Sequence, residues 1–149
     1  MIILVESELE HYPFSALHCQ WEIRTGFFRI FERNLQALRE KSAFFIGRRL
    51  HLQSFAARFP FIQAQRQSEY IIPVATDNYM PNNLIIRGDT YFPNETLECF
   101  RRARREAGGC MMFTDSKNNP VAIILTPDIS VSHIFEEFSC FENIALYYS

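Results

Sequence analysis

Between Pro13 and Gly26 the chain brings together Ser15, His18, Cys19, Trp21, Glu22 and Arg24, more polar and conformationally special residues than a plain connection needs. A guanidinium binds phosphate oxygens through a rigid fork of donors, and an imidazole takes up or releases a proton near neutral pH. Glycine lets the backbone approach a ligand closely. A second point is Gly88-Asp89, which follows the apolar run Leu84-Ile85-Ile86. A carboxylate delivered there is the kind of group that, with substrate phosphates, holds Mg²⁺. Each residue also has a plainer reading. Gly and Asp are standard turn formers, so Asp89 fits an exposed turn as well as a metal ligand. Glu22 and Arg24 lie on one side of an extended chain and fit a structural ion pair. His18 fits a satisfied polar residue, and Trp21 fits packing as readily as a base-stacking surface.

These residues must be held by elements, and the hydrophobic pattern names them. The apolar opening Ile2-Ile3-Leu4-Val5 predicts a buried strand. After the polar loop, Phe27, Ile30, Phe31, Leu35 and Leu38 share one helical face, with Arg29, Glu32, Arg33, Gln36 and Arg39 opposite. Ala43-Phe44-Phe45-Ile46, ended by Gly47, predicts a buried parallel strand that completes a βαβ unit. Leu50, Phe55 and Phe59 suggest a second short helix, stopped by Pro60. Residues 61–69 read as a polar connection. Tyr70-Ile71-Ile72 and Val74 form a strand that Pro73 confines to an edge or a strand end. Leu84-Ile85-Ile86 is a central strand.

A helix then runs from a cap at Asn94, with Glu95 and Glu98 early, Arg101, Arg102, Arg104 and Arg105 late, and Gly108-Gly109 closing it. Leu97, Phe100, Ala103 and Ala107 supply its apolar face, and the arginines read as a solvated end that complements the helix dipole. Cys110 to Phe113 and Val121 to Leu125 flank a turn-rich hexapeptide and predict a hairpin. Ile134, Phe135 and Phe138 suggest one more short helix, and residues 126–149 are otherwise unassigned. The pattern predicts one α/β domain over residues 1–149: a Rossmann-like three-layer sandwich with a mostly parallel sheet, its ligand beyond the carboxyl ends of the strands.

Composition narrows the class. A chain of 149 residues that is 48% hydrophobic, with 15 Phe, suits a globular core. The formal charge of -2 argues against a dedicated nucleic-acid binder or a polybasic membrane anchor. Cys19, Cys99, Cys110 and Cys140 show neither zinc nor redox spacing. With no signal-peptide pattern and no apolar run near the ~18 residues of a spanning helix, a cytoplasmic location is expected.

Over about residues 1–125 the chain resembles the GlmU-like sugar nucleotidyltransferase family. Tyr12, Pro13, Phe14 and Ser15 stand where that family has L-P-L-T, and Glu22-Ile23-Arg24-Thr25-Gly26 where it has E-L-R-x-G, followed by Ile30 and Glu32. Phe55 to Pro60 resembles its Y-L-x-x-K-F-P ending. The family's T-R-P is Leu17-His18-Cys19 here, which puts an imidazole in place of a permanent cation. The Gly-rich loop of the wider superfamily is replaced by Glu-Ser-Glu-Leu-Glu-His at residues 6–11.

The resemblance implies transfer of a nucleotidyl group from a nucleoside triphosphate to a sugar 1-phosphate, with release of pyrophosphate and with Mg²⁺ as cofactor. It implies Arg24 and His18 as catalytic groups, Pro13, Ser15, Glu22, Gly26 and Gly88 at the nucleotide, and Asp89 on the metal. Because it stops short of the family's sugar-binding half, a homo-oligomer or a partner chain is expected to complete the site. The alternative is a noncatalytic nucleotide-binding or protein-interaction domain derived from the same fold.

Overall fold

The computed structural model describes residues 2–9, 14, 18–40, 43–59, 62–64, 70–73, 82–129 and 132–149. Along the chain come β1 (Ile2–Val5), a 3-10 turn (Gln20–Glu22), β2 (Arg24–Thr25), β3 (Phe28–Arg29), α1 (Ile30–Ala37), β4 (Phe44–Ile46) and α2 (Arg49–Arg58). They are followed by β5 (Ile62–Ala64), β6 (Tyr70–Pro73), β7 (Asn83–Arg87), α3 (Asn94–Glu106), β8 (Met111–Thr114), β9 (Pro120–Leu125), α4 (Ser132–Glu137) and α5 (Phe141–Tyr147).

Seven strands form one sheet in the order β5-β6-β4-β1-β7-β9-β8, with β1 at its middle. Its centre is parallel: Ile3 pairs with Phe44 on one side and with Ile85 on the other. The flanks are antiparallel, β6 running against β4 and β5, and β9 against β7 and β8, so the whole sheet is mixed. Side chains alternate along a strand. Ile2 and Leu4 therefore join one apolar cluster, with Phe31 and Leu38, Leu52 and Phe55 of α2, and Leu97 and Phe100 of α3. Ile3 and Val5 join another, with Ile134 of α4 and Phe141, Ile144 and Ala145 of α5. Burial on both faces is why β1, β7 and β9 read as unbroken apolar runs instead of alternating ones. The molecule is an α/β sandwich of three layers, compatible with a Rossmann-like arrangement. The helix suggested by Ile134, Phe135 and Phe138 is present as α4, and with α5 it supplies the third layer.

Several local expectations change. Phe27 is 93% exposed and sits in the turn of a β2–β3 hairpin, so α1 begins only at Ile30 and presents Ile30, Phe31 and Asn34 inward. Leu50 is exposed, and α2 buries His51, Leu52 and Phe55 instead. Tyr70–Pro73 is a strand with Pro73 as its last residue, the strand-end place expected of it, and it lies inside the sheet between β4 and β5; Val74 lies outside the described residues. Asn94 is the first helical residue of α3, not its cap; its Oδ1 accepts from Arg33 Nη2 at 2.8 Å.

Arg104 departs furthest from the solvated helix end. It is fully buried, with Nη1 2.8 Å from Glu40 Oε1 and Nε donating to the Asn82 carbonyl at 3.1 Å. Asn82 Nδ2 donates in return to the Arg104 carbonyl at 2.8 Å, which ties the segment after α1, the start of β7 and the last turn of α3 together. Arg104 follows Leu97 and Phe100 by seven and four positions, so helical spacing places it on the inward face. Among the described residues no helix is long and apolar enough to cross a membrane.

Candidate functional site

The loop after β1 delivers its polar residues through two small, self-sufficient pieces of backbone. In the 3-10 turn, the Glu22 carboxylate turns back to accept the Cys19 N–H at 2.8 Å. The β2–β3 hairpin follows, closed by Gly26-Phe27, and its base is fastened by the Ile30 N–H donating to the Ile23 carbonyl at 2.9 Å. Gly26 has φ +88 and stands first in the two-residue turn, the position that favours glycine in a type II′ hairpin. A Cβ there would meet nothing within 4 Å, so the backbone angle, and not close approach of a ligand, accounts for this glycine.

Beside the hairpin is a cleft of about 350 Å³ lined by Phe14, His18, Glu22, Ile23, Arg24, Arg29 and Arg58. The ion pair expected between Glu22 and Arg24 is not formed. Glu22, 3% exposed at its side chain, is held by Arg58 of α2, whose Nη2 lies 2.6 and 2.7 Å from its two oxygens and whose Nε lies 3.0 Å from Oε1. His18 Nδ1 is 3.6 Å from the same carboxylate, and its ring stacks on Phe14 at 4.8 Å. Arg24 is exposed and makes a long 3.5 Å hydrogen bond to the Phe27 carbonyl. Strand register sets it directly opposite Arg29, which is paired with Glu32 at 3.1 Å and stacks over Phe59 at 4.9 Å. His18, Glu22 and Arg24 thus share one cleft. Pro13 and Ser15 lie outside the described residues.

Gly88 and Asp89 do not line this cleft; they leave the carboxyl end of β7 beside that of β1. The Gly88 N–H donates to the Val5 carbonyl at 2.6 Å. A Cβ on Gly88 would sit 2.8 Å from Trp21 Cε3 and 2.9 Å from that carbonyl, so the glycine makes room for the indole. Trp21 is fully buried against Phe45 and Phe55, at 5.2 and 5.7 Å, and offers no surface to a base. Asp89 is not an exposed turn residue. Its side chain is 4% exposed, with Oδ1 2.7 Å from Arg87 Nε and Oδ2 3.0 Å from Arg87 Nη2. That bond also raises the Arg87 pKa above its ordinary value.

The acidic run after β1, with partners that no local pattern names, completes this edge. Glu6, 3% exposed, accepts the Arg48 N–H at the start of α2 at 2.8 Å and lies 2.9 Å from His51 Nδ1. It fills the position a helix N-terminus offers to an anion. Gly47 lies so close that a Cβ would be 2.6 Å from Glu6 Oε2. The Ser7 N–H donates to Gln20 Oε1 at 2.6 Å and Ser7 Oγ to Glu142 Oε1 at 2.7 Å; the Glu8 N–H donates to Glu142 Oε2 at 2.9 Å. The acidic run after β1 was a visible signal, but its partners at His51 and Glu142 are too distant in sequence for any local pattern to reveal.

The described side chains do not fit a magnesium centre. Both oxygens of Asp89 are taken by Arg87, and among the described residues no three His, Cys, Asp or Glu side chains are grouped to hold a metal. Compared with protein-family models, with curated proteins and with solved structures, the chain matches none.

Proposed function

We propose that this chain is a noncatalytic binding domain on a nucleotidyltransferase-like α/β scaffold, related to the GlmU-like family it resembles. The observation that carries the reading is the closure of the strand ends by the chain's own side chains. Glu6 sits at the N-terminus of α2, Arg87 binds both oxygens of Asp89, and Trp21 packs on Gly88. Nucleotidyl transfer needs cations around the α-phosphate and a positioned metal. Glu6, Glu8 and Glu142 instead gather carboxylates near the end of β1, where they repel a triphosphate.

A second reading keeps the enzyme. In it Asp89 exchanges Arg87 for Mg²⁺, and a second copy or a partner chain completes a site for a nucleoside triphosphate and a sugar 1-phosphate. The parallel centre of the sheet and the placement of Asp89 at the carboxyl end of β7 favour it. Isothermal titration with UTP, dTTP, GTP and ATP, with and without Mg²⁺, on the natural chain and on Asp89→Asn separates the two. The noncatalytic reading expects no metal-dependent binding that the substitution removes. Binding that requires Mg²⁺ and vanishes in Asp89→Asn overturns it in favour of the transferase.

A further inference from the structure

We infer that the cleft beside the β2–β3 hairpin is a binding site for a small phosphomonoester, its phosphate between Arg24 and Arg29 and its organic part against Phe14 and His18. The inference rests on the binding reading above and gives that reading a place and a ligand class. Three guanidiniums line the cleft, while the carboxylates bonded to them are Glu22 on Arg58 and Glu32 on Arg29. Among the described residues one positive charge is left unbalanced, and it belongs to Arg24. Like charges set directly across two strands destabilise a hairpin, and Arg24 faces Arg29 in just this way. An anion seated between them removes the repulsion and gains charge-assisted hydrogen bonds.

Shape agrees with charge. About 350 Å³ falls at the small end of the range for ligand sites, enough for a phosphate with one ring. Phe14 and His18, their rings stacked on each other at 4.8 Å, give the cleft an aromatic lining. The Arg58–Glu22 pair ties the 3-10 turn that lines the cleft to α2.

The test is isothermal titration of the full chain with phenyl phosphate and with inorganic phosphate, at low and at high salt. Arg24→Gln is the main variant, and Arg101→Gln on α3 is a control of equal charge change. Arg24 is exposed, so its substitution leaves the fold in place, which a urea midpoint confirms. Expected is binding that weakens with salt, is tighter for phenyl phosphate than for phosphate, falls by about tenfold in Arg24→Gln, and stays within about twofold in Arg101→Gln. No binding of either probe, or equal loss in the two variants, overturns the inference. Either result is distinct from failure of the noncatalytic reading, which is decided at Asp89.

Discussion

Replacing Glu22 by glutamine pulls stability and affinity in opposite directions. The side chain keeps its shape and loses its charge. In the native protein one oxygen accepts from Arg58 Nε at 3.0 Å and Nη2 at 2.7 Å, and the other from Arg58 Nη2 at 2.6 Å and the Cys19 N–H at 2.8 Å. Glutamine has one acceptor oxygen, so half of this arrangement meets an NH₂ group. A hydrogen bond to a charged group contributes about 1.5–3 kcal/mol net. Arg58 is 33% exposed, so water takes over part of its solvation, and a loss of about 2 kcal/mol follows. For a chain of this length that lowers Tm by roughly 4–8 °C.

At the same time the cleft gains a unit of positive charge. At an effective dielectric of about 20 and a separation of about 5 Å, one charge acts on another with about 3 kcal/mol before salt screening. Phenyl phosphate is therefore expected to bind at least about tenfold tighter to Glu22→Gln than to the natural chain at low salt. Urea unfolding and calorimetric titration on the same preparation read both quantities. Unchanged stability would mean that Glu22 does not anchor the turn to α2. Affinity that is unchanged or weaker would refute the electrostatic account of the cleft.

Four further outcomes are expected. Glu40→Ala strands the buried Arg104 guanidinium and lowers unfolding free energy by about 3–5 kcal/mol, whereas Glu40→Leu with Arg104→Met recovers most of it, both read by urea denaturation. Gly88→Ala forces a Cβ to within 2.8 Å of Trp21 and 2.9 Å of the Val5 carbonyl. It destabilises by about 1–3 kcal/mol in the same assay, while Gly108→Ala, which meets nothing within 4 Å, stays within about 0.5 kcal/mol. Burial first, then the carboxylates of Glu6 and Glu22, push the Cys19 thiol well above the ordinary range. The fold therefore keeps it protonated where the unfolded chain ionises. Its contribution is fully present below the unfolded thiol pKa and is lost as pH rises above it, with a slope of up to about 1.4 kcal/mol per pH unit that Cys19→Ala removes from alkaline stability curves. Native-state thiol labelling reaches exposed Cys99 and Cys110 and spares Cys19 until denaturant is added.

Much of the scaffold was legible because its signals are local. Apolar runs between breakers mark β1, β4 and β7; helical spacing marks most of α1 and the inward residues of α3; and the turn between β8 and β9 follows from Asp115, whose Oδ1 accepts the N–H groups of Lys117 and Asn119 at 2.8 and 2.9 Å. His18, Glu22 and Arg24 could be gathered as candidates because they lie within one loop. Which charge meets which could not be read in that way. Glu22 reaches 36 positions to Arg58, passing over nearby Arg24, and Glu40 reaches 64 positions to Arg104. Glu6 reaches 45 to His51, and Ile134, Phe141, Ile144 and Ala145 of the tail pack on one face of the central strands. Local sequence determined the elements, since backbone geometry repeats over a few residues. Tertiary structure decided the partners: a buried charge must find its counter-ion wherever the packed layers bring one, and sequence distance carries no information about that.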